Sequence, residues 1–167
     1  MSTDPDNHTN YALGWATSAD YDDLSDVMFD AVRRGPSHYT EAQRKQWVPE
    51  RRHGDAWAAR LNEQVISLAR NEKGVVGFMS LAPDGYIDFA YIRPEAQGTG
   101  LFRQMFRQIE QYSAERGDAR LWLHASLMAQ QAFATMGFEI VERQTVHIGD
   151  ESFERFEMEK PMGGLMA

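Results

Sequence analysis

Over residues 86–115 the chain switches period, and that switch constrains its fold more than any other feature. Tyr86-Ile87-Asp88-Phe89-Ala90-Tyr91-Ile92 is a short run rich in β-branched and aromatic residues, which reads as a strand. Arg93-Pro94-Glu95-Ala96-Gln97-Gly98-Thr99-Gly100 follows. Then Leu101, Phe102, Met105, Phe106, Ile109 and Tyr112 recur at helical spacing. They predict one apolar face of a long helix over about residues 99–115. Glycines in such a turn let backbone approach a ligand without a Cβ clash. The first turn of the helix presents unpaired N–H groups and a partial positive charge, a place for phosphate or pyrophosphate. Arg103 and Arg107 in the next turns could add charge-assisted contacts.

Two familiar phosphate loops do not fit. A Walker loop needs Gly-Lys-Ser/Thr after its first glycine, and none is present. The dinucleotide fingerprint needs a third glycine where Arg103 stands. A lone Gly-x-Gly is equally compatible with a plain strand-to-helix turn.

The flanking sequence predicts an α/β fold. Runs at 65–69 and 75–81 precede the strand at 86–92, separated by Gly74 and by Pro83-Asp84-Gly85. They read as three antiparallel strands joined by tight turns. A first strand is expected over 11–17. Thr17, Ser18 and Asp20 then start a helix that closes with Arg33-Arg34 and stops at Gly35-Pro36. Thr40 with Gln43 is a capping-box pattern for a second helix ending before Pro49. A third, short helix covers 55–61. After Gly117 come a strand at 121–125, a helix at 128–136 capped by Gly137, and a hairpin of 138–148 with 152–158. Residues 1–10 read as a disordered lead-in and 161–167 as a flexible tail, leaving one domain over 11–160. Strands and helices are mixed, with a strand–helix–strand crossover in the middle. That predicts a mixed sheet with helices on both faces.

Composition narrows the chemistry. A length of 167 residues suits one hydrophobic core. The absence of cysteine excludes disulfides, a cysteine nucleophile and thiolate metal sites. The five histidines show no ligand spacing, so no metal is expected. A net charge of -8 argues against nucleic-acid binding and favours cationic partners such as amines. No apolar run reaches the ~18 residues of a membrane span. The polar N-terminal stretch lacks the features of a secretory signal, so the cytoplasm of a prokaryote is the expected location.

The order of motifs then points to a family. Gln97-Gly98-Thr99-Gly100, the long helix, a strand, Ala125-Ser126, a short helix and Gly137-Phe138 together resemble the GNAT superfamily of acyl-CoA-dependent N-acetyltransferases. In that family's Arg/Gln-x-x-Gly-x-Gly/Ala loop the first position is Glu95 here, a departure, while Gln97, Gly98 and Gly100 match. The downstream pattern is carried by Ala125-Ser126, Ala129, Phe133 and Gly137-Phe138. Tyr39-Thr40-x-x-Gln43-x-x-x-Trp47-x-Pro49 is similar to a segment of the YafP-like branch of bacterial acetyltransferases. The resemblance implies a GNAT-like fold, about seven mostly antiparallel strands splayed in a V between the fourth and fifth. It implies acetyl-CoA as co-substrate in that V. The pyrophosphate would sit on residues Gln97, Gly98, Thr99, Gly100, Leu101 and Phe102, near Arg103. Pantetheine would run along Ala90, Tyr91 and Ile92, with Ser126, Ala129 and Phe133 across from it. The acceptor would be an amine of a small molecule or peptide, and exposed edge strands leave room for a homodimer.

Acetyl transfer to an amine needs a proton acceptor, a donor for the carbonyl oxygen, and release of a thiol. Asp88 is the candidate base, because a carboxylate in an apolar strand is costly unless paired, hydrated or functional. A solvated Asp beside a hairpin turn is the competing explanation. The oxyanion donor would be the backbone N–H of Tyr91 or Ile92. The family often places a tyrosine acid where Phe133 stands, and Phe133 cannot donate. Tyr91, Ser126 and His124 are the substitutes, although His124 reads more simply as a strand histidine making a local hydrogen bond. His38, Tyr39, Trp47 and Trp57 would wall the acceptor pocket or belong to the core. The alternative to an efficient enzyme is a catalytically weak acyl-CoA sensor with the same fold.

Overall fold

The apolar runs fold as strands and helices close to where their periods place them. A computed structural model describes residues 11–35, 37 and 39–163. The lead-in over 1–10, Pro36, His38 and tail residues 164–167 lie outside them. Among the described residues one sheet of seven strands runs β1 (Ala12–Trp15), β2 (Val65–Asn71), β3 (Gly74–Leu81), β4 (Tyr86–Ile92), β5 (Arg120–Ala125), β7 (Glu151–Pro161), β6 (Glu139–Ile148) in spatial order. Every neighbouring pair is antiparallel except β4 with β5. Three helices precede β2: α1 (Tyr21–Arg34), α2 (Glu41–Trp47) and α3 (Gly54–Asn62). The long helix α4 (Leu101–Arg116) makes the crossover from β4 to β5, and α5 (Ala129–Thr135) follows β5. No described helix is long and apolar enough to cross a membrane.

Caps set the helix ends. Thr17 and Asp20 form a reciprocal capping box around a short 3-10 turn, Ser18–Asp20, that leads into α1. Thr40 and Gln43 form a second one at α2, the pairing that their spacing predicts. The start of α4 falls at Leu101 rather than at residue 99, because Gly100 caps it in the left-handed region at φ 84°. The hairpin strand β7 runs to Pro161 rather than ending at residue 158.

Two apolar layers cover the sheet. Leu24, Val27 and Met28 of α1 and Trp57 and Leu61 of α3 pack on Phe78 and Phe89. Leu101, Met105, Phe106 and Ile109 of α4 pack on the other face with Met79, Leu121 and Met158. That α4 stripe is at most 1% exposed, and a fully buried side chain of this size stabilises by about 1.5–3 kcal/mol. At Gly77 an added Cβ would come within 3.2 Å of Ile92 and 3.3 Å of Met105, so glycine is what lets α4 sit this close to the sheet.

The sheet comes apart at its one parallel pairing. β4 and β5 pair at Tyr86 with Trp122 and at Ile87 with Leu123. Beyond these residues the strands diverge, and β4 offers the β5 side an unpaired strand edge over residues 88–92.

Candidate active site

Backbone direction along the open part of β4 follows from its bonds to β3. Phe89 N–H donates to the Ser80 hydroxyl at 3.0 Å and Arg93 N–H to Val76 O at 2.8 Å, both toward β3. Strand alternation then turns the N–H groups of Ala90 and Ile92 the other way, into the gap. Of the two expected oxyanion donors, Ile92 therefore has the right direction and Tyr91 does not. The Ile92 carbonyl accepts the Gln97 side-chain amide at 3.1 Å, which fixes the start of the glycine loop to the end of the strand.

A cavity of about 420 Å³ fills the gap. Ala90, Tyr91 and Ile92 form one wall, and Ser126, Ala129 and Ala132 the opposite one. Its far end is closed by Gln97, Gly98, Gly100, Phe102 and Arg103. Gly98 and Gly100 have φ of 78° and 84°, and a Cβ at either would meet nothing within 4 Å. Glycine is required there by backbone conformation, while the space above is left free. The first turn of α4 carries Arg103 and no carboxylate, although carboxylates are what usually stabilise a helix N-terminus. An extended amide chain ending in a pyrophosphate fits such a cleft: strand edge for the amides, N-terminal N–H groups and Arg103 for the phosphates.

The side chains of three expected cofactor residues, Thr99, Leu101 and Phe133, do not line the cavity. Leu101 is buried at 1% exposure, so its contribution is limited to backbone N–H. Thr99 turns its hydroxyl to donate to Ala96 O at 2.7 Å. Phe133 is 2% exposed and packs edge-on against Phe102 and Phe138 at 5.1 and 5.3 Å, behind the cavity wall. Glu95, at the departing loop position, forms an exposed ion pair with Arg34 at 2.9 Å.

A second cavity, about 200 Å³, opens on the far side of Tyr91. Tyr39, Trp47, Tyr91 and Ser126 border both cavities. Asp88 lies in the second, and its position comes from a β-bulge. Ser80 pairs with Phe89 and Leu81 with Ile87, which leaves Asp88 as the extra residue. The bulge puts Asp88 and Phe89 on one face. Arg60 of α3 spans them, its guanidinium 4.6 Å from the Phe89 ring and its Nε and Nη2 donating to Asp88 at 2.9 and 2.8 Å. Gln64 donates to the same carboxylate at 2.8 Å. Three of a carboxylate's roughly four acceptor positions are thus used, and one is left.

The other polar groups around this junction are placed as follows. Burial raises the pKa of Tyr91 above the usual tyrosine range, so its hydroxyl stays protonated at neutral pH. Tyr39 donates to Glu154 O at 2.6 Å and accepts from Leu127 N–H at 3.1 Å, tying the segment before α2 to β7 and to the β5–α5 turn. Ser126 accepts from Ala129 N–H at 3.1 Å in the turn that leads into α5, although the N-cap of that helix is Met128. His124 Nδ1 lies 2.9 Å from the Tyr86 hydroxyl, and burial, aided by the Arg155 charge, lowers its pKa. Trp57 belongs to the core beneath α1, donating to Tyr21 O at 2.8 Å.

Sequence reasoning missed Arg52, Arg60 and Arg155, which border the second cavity together with Tyr86 and His124. Arg155 shares its strand face with buried Phe153. A charge at that inward position is the same signal that singled out Asp88. Arg60 carries no comparable mark on its short helix.

Residues 36–160 match the family model for the acetyltransferase (GNAT) domain. The chain belongs to the GNAT acetyltransferase family. Solved structures of the family agree with the fold. A GCN5-related N-acetyltransferase from Rhodopseudomonas palustris is 25% identical with a TM-score of 0.79, covering 90% of this chain and 94% of that one. A phosphinothricin acetyltransferase from Sinorhizobium meliloti, in complex with acetyl-CoA, is 17% identical with a TM-score of 0.71, over 94% and 91% of the two chains. The PaiA N-acetyltransferase from Thermoplasma acidophilum, in complex with coenzyme A, is 15% identical with a TM-score of 0.68, over 91% and 99%. No curated protein matches the sequence. As a GNAT member the chain is an acyltransferase, and the cleft at the split of its sheet has the donor groups that an acyl-CoA needs.

Proposed function

We propose that this GNAT domain is an acetyl-CoA-dependent N-acetyltransferase that acts on a primary amine of a small molecule or peptide by direct attack in a ternary complex. The observation that carries the proposal is that two cavities meet at the open part of β4, with Tyr91 and Ser126 on the border of both. Acetyl-CoA, when bound, supplies an activated thioester carbonyl and a thiolate leaving group. The amine enters from the second cavity. As its nitrogen bonds to the carbonyl carbon, the carbon–sulfur bond breaks and its electron pair leaves with sulfur. Asp88, held by Arg60 and Gln64, accepts the amine proton through its remaining lone pair, directly or through one water. Ile92 N–H meets the negative charge on the carbonyl oxygen. Tyr91 and Ser126 offer hydroxyl hydrogens to the departing sulfur, which needs little help because a thiol ionises with a pKa near 8.5.

Finer assignments rest on the same residues. Membership of the YafP-like branch is supported by the Tyr39-Thr40-Gln43-Trp47 segment, whose members cap α2 and border both cavities. One catalytic domain over residues 11–160 is supported by two apolar layers that share the strands of one sheet.

The test is coenzyme A release from acetyl-CoA across a broad panel of amines, alongside calorimetric binding of acetyl-CoA. Binding with amine-dependent release supports the proposal. Binding with no turnover of any amine would leave an acyl-CoA sensor, and no binding would reject both.

A further inference from the structure

The second cavity has a sign opposite to that of the chain. The chain carries a net charge of -8, yet Arg52, Arg60 and Arg155 all border this cavity. Asp88 is the carboxylate among its described wall residues, and Arg60 already engages it at 2.8 Å. That leaves two guanidinium groups. Arg52 is half-buried and has no ion pair among the described residues; its guanidinium lies 5.9 Å from the Trp57 ring. Burial and the neighbouring Arg60 charge disfavour its charged form by more than Tyr91 and the shared Asp88 favour it, and an arginine cannot relieve this by losing its proton. Arg155 spends Nε on Gln144 at 2.8 Å, and among the described residues the rest of its fork has no carboxylate. Glu157 lies near His124 and Tyr86 but is not in the cavity wall.

A chain with an excess of carboxylates that leaves two half-enclosed guanidiniums without one has kept them for an anion supplied from outside. The planar fork of arginine suits a carboxylate, which it can hold by two parallel hydrogen bonds. The same cavity offers an acceptor for an amine, Asp88, and apolar walls from Phe89, Phe153 and Val146. Its volume of about 200 Å³ lies below the roughly 300–1,000 Å³ of drug-sized pockets. Resting on the N-acetyltransferase reading above, we propose that the acceptor is a free amino acid, its carboxylate taken by Arg52 and Arg155 and its amine presented at Asp88.

The test uses the whole chain saturated with coenzyme A. Common α-amino acids and their amides are titrated in pairs by calorimetry, and coenzyme A release from acetyl-CoA is then measured with the same compounds. At least one amino acid should bind about tenfold or more tightly than its amide, because the amide leaves the two half-buried guanidiniums without a counter-charge. Arg52→Gln and Arg155→Gln should each erase most of that preference. Arg103→Gln should weaken coenzyme A and leave the preference alone. Thermal unfolding reports whether each variant folds, and where one does not, the wild-type acid-to-amide ratio and the other arginine decide. The proposal is overturned if amides or simple amines bind as well as the acids. It is equally overturned if acidic peptides bind better, if no amino acid binds, or if the folded arginine variants keep the preference. Failure of coenzyme A itself to bind would instead bring down the underlying reading, and the proposal with it.

Discussion

Asp88 and Phe133 show how far a single position can be read from its neighbours in sequence. Asp88 stands out as a carboxylate in an apolar strand, and the structure gives it a specific setting between Arg60 and Gln64. That setting was not legible. The bulge depends on how β3 registers with β4, and Arg60 lies 28 residues away on another element. Asp88→Asn should lower kcat at neutral pH by about 100-fold or more, the usual worth of a positioned acid or base. Acetyl-CoA affinity, measured by calorimetry, should stay within a factor of about two, since Asp88 borders the other cavity. Phe133 is read correctly as a residue that cannot donate, but its partners Phe102 and Phe138 put it in the core. Phe133→Tyr should therefore not improve turnover. It should destabilise the fold by about 1–3 kcal/mol in urea unfolding, the cost of a buried hydroxyl without a partner.

Elements were more legible than individual partners, because capping and periodicity are local. The capping box at Thr40 appears where its spacing puts it, and Thr40→Ala should cost about 1 kcal/mol of stability by denaturant unfolding. The strand at 86–92 and the amphipathic face of α4 agree with their apolar patterns, except that Tyr112 at the end of that face is exposed beside Trp15. What a pattern of apolar residues cannot express is where two strands stop pairing. Pairing of β4 with β5 ends at Ile87 and Leu123, and the cleft proposed for acetyl-CoA opens beyond it. At the entry to α4, Gly100→Val forces a β-branched residue to a φ of 84° and puts its methyls into the open space. Acetyl-CoA affinity should fall by about 100-fold or more, since the backbone and the space proposed for its phosphates are both lost, with a stability cost of about 1–2 kcal/mol.

Across the molecule, charge is distributed in a way that its sum conceals. A net charge of -8 pointed to cationic partners. The cavity bordered by Asp88 nevertheless gathers three arginines, and both of Arg34's ion pairs and that of Arg51 lie on the exposed surface. A residue count averages over the surface, whereas a substrate meets only the charges at its own site. The same distribution predicts how stability depends on pH. His124 has a pKa below its usual 6.5, chiefly through burial. The unfolded chain therefore takes up a proton first, so stability is whole above about pH 6.5 and falls as the pH drops toward the folded value. Asp30, held by Arg34 and Arg93, and Asp20 and Asp118, where bonds to Thr17, Arg70, Ser113 and Arg116 outweigh burial, have lowered pKa values. Their contribution is present above the ordinary carboxylate pKa near 3.8 and is lost below it. Thermal unfolding across this range should show two successive declines, and His124→Gln should remove the first.

Calorimetric titration with acetyl-CoA tests the assignment of the cleft most directly. The arrangement of β4, the Gln97-Gly98-Thr99-Gly100 turn and α4 predicts saturable binding of one acetyl-CoA per chain, lost in a folded Gly100→Val variant. Absence of binding to the wild-type protein, or equal binding to that variant, would contradict it.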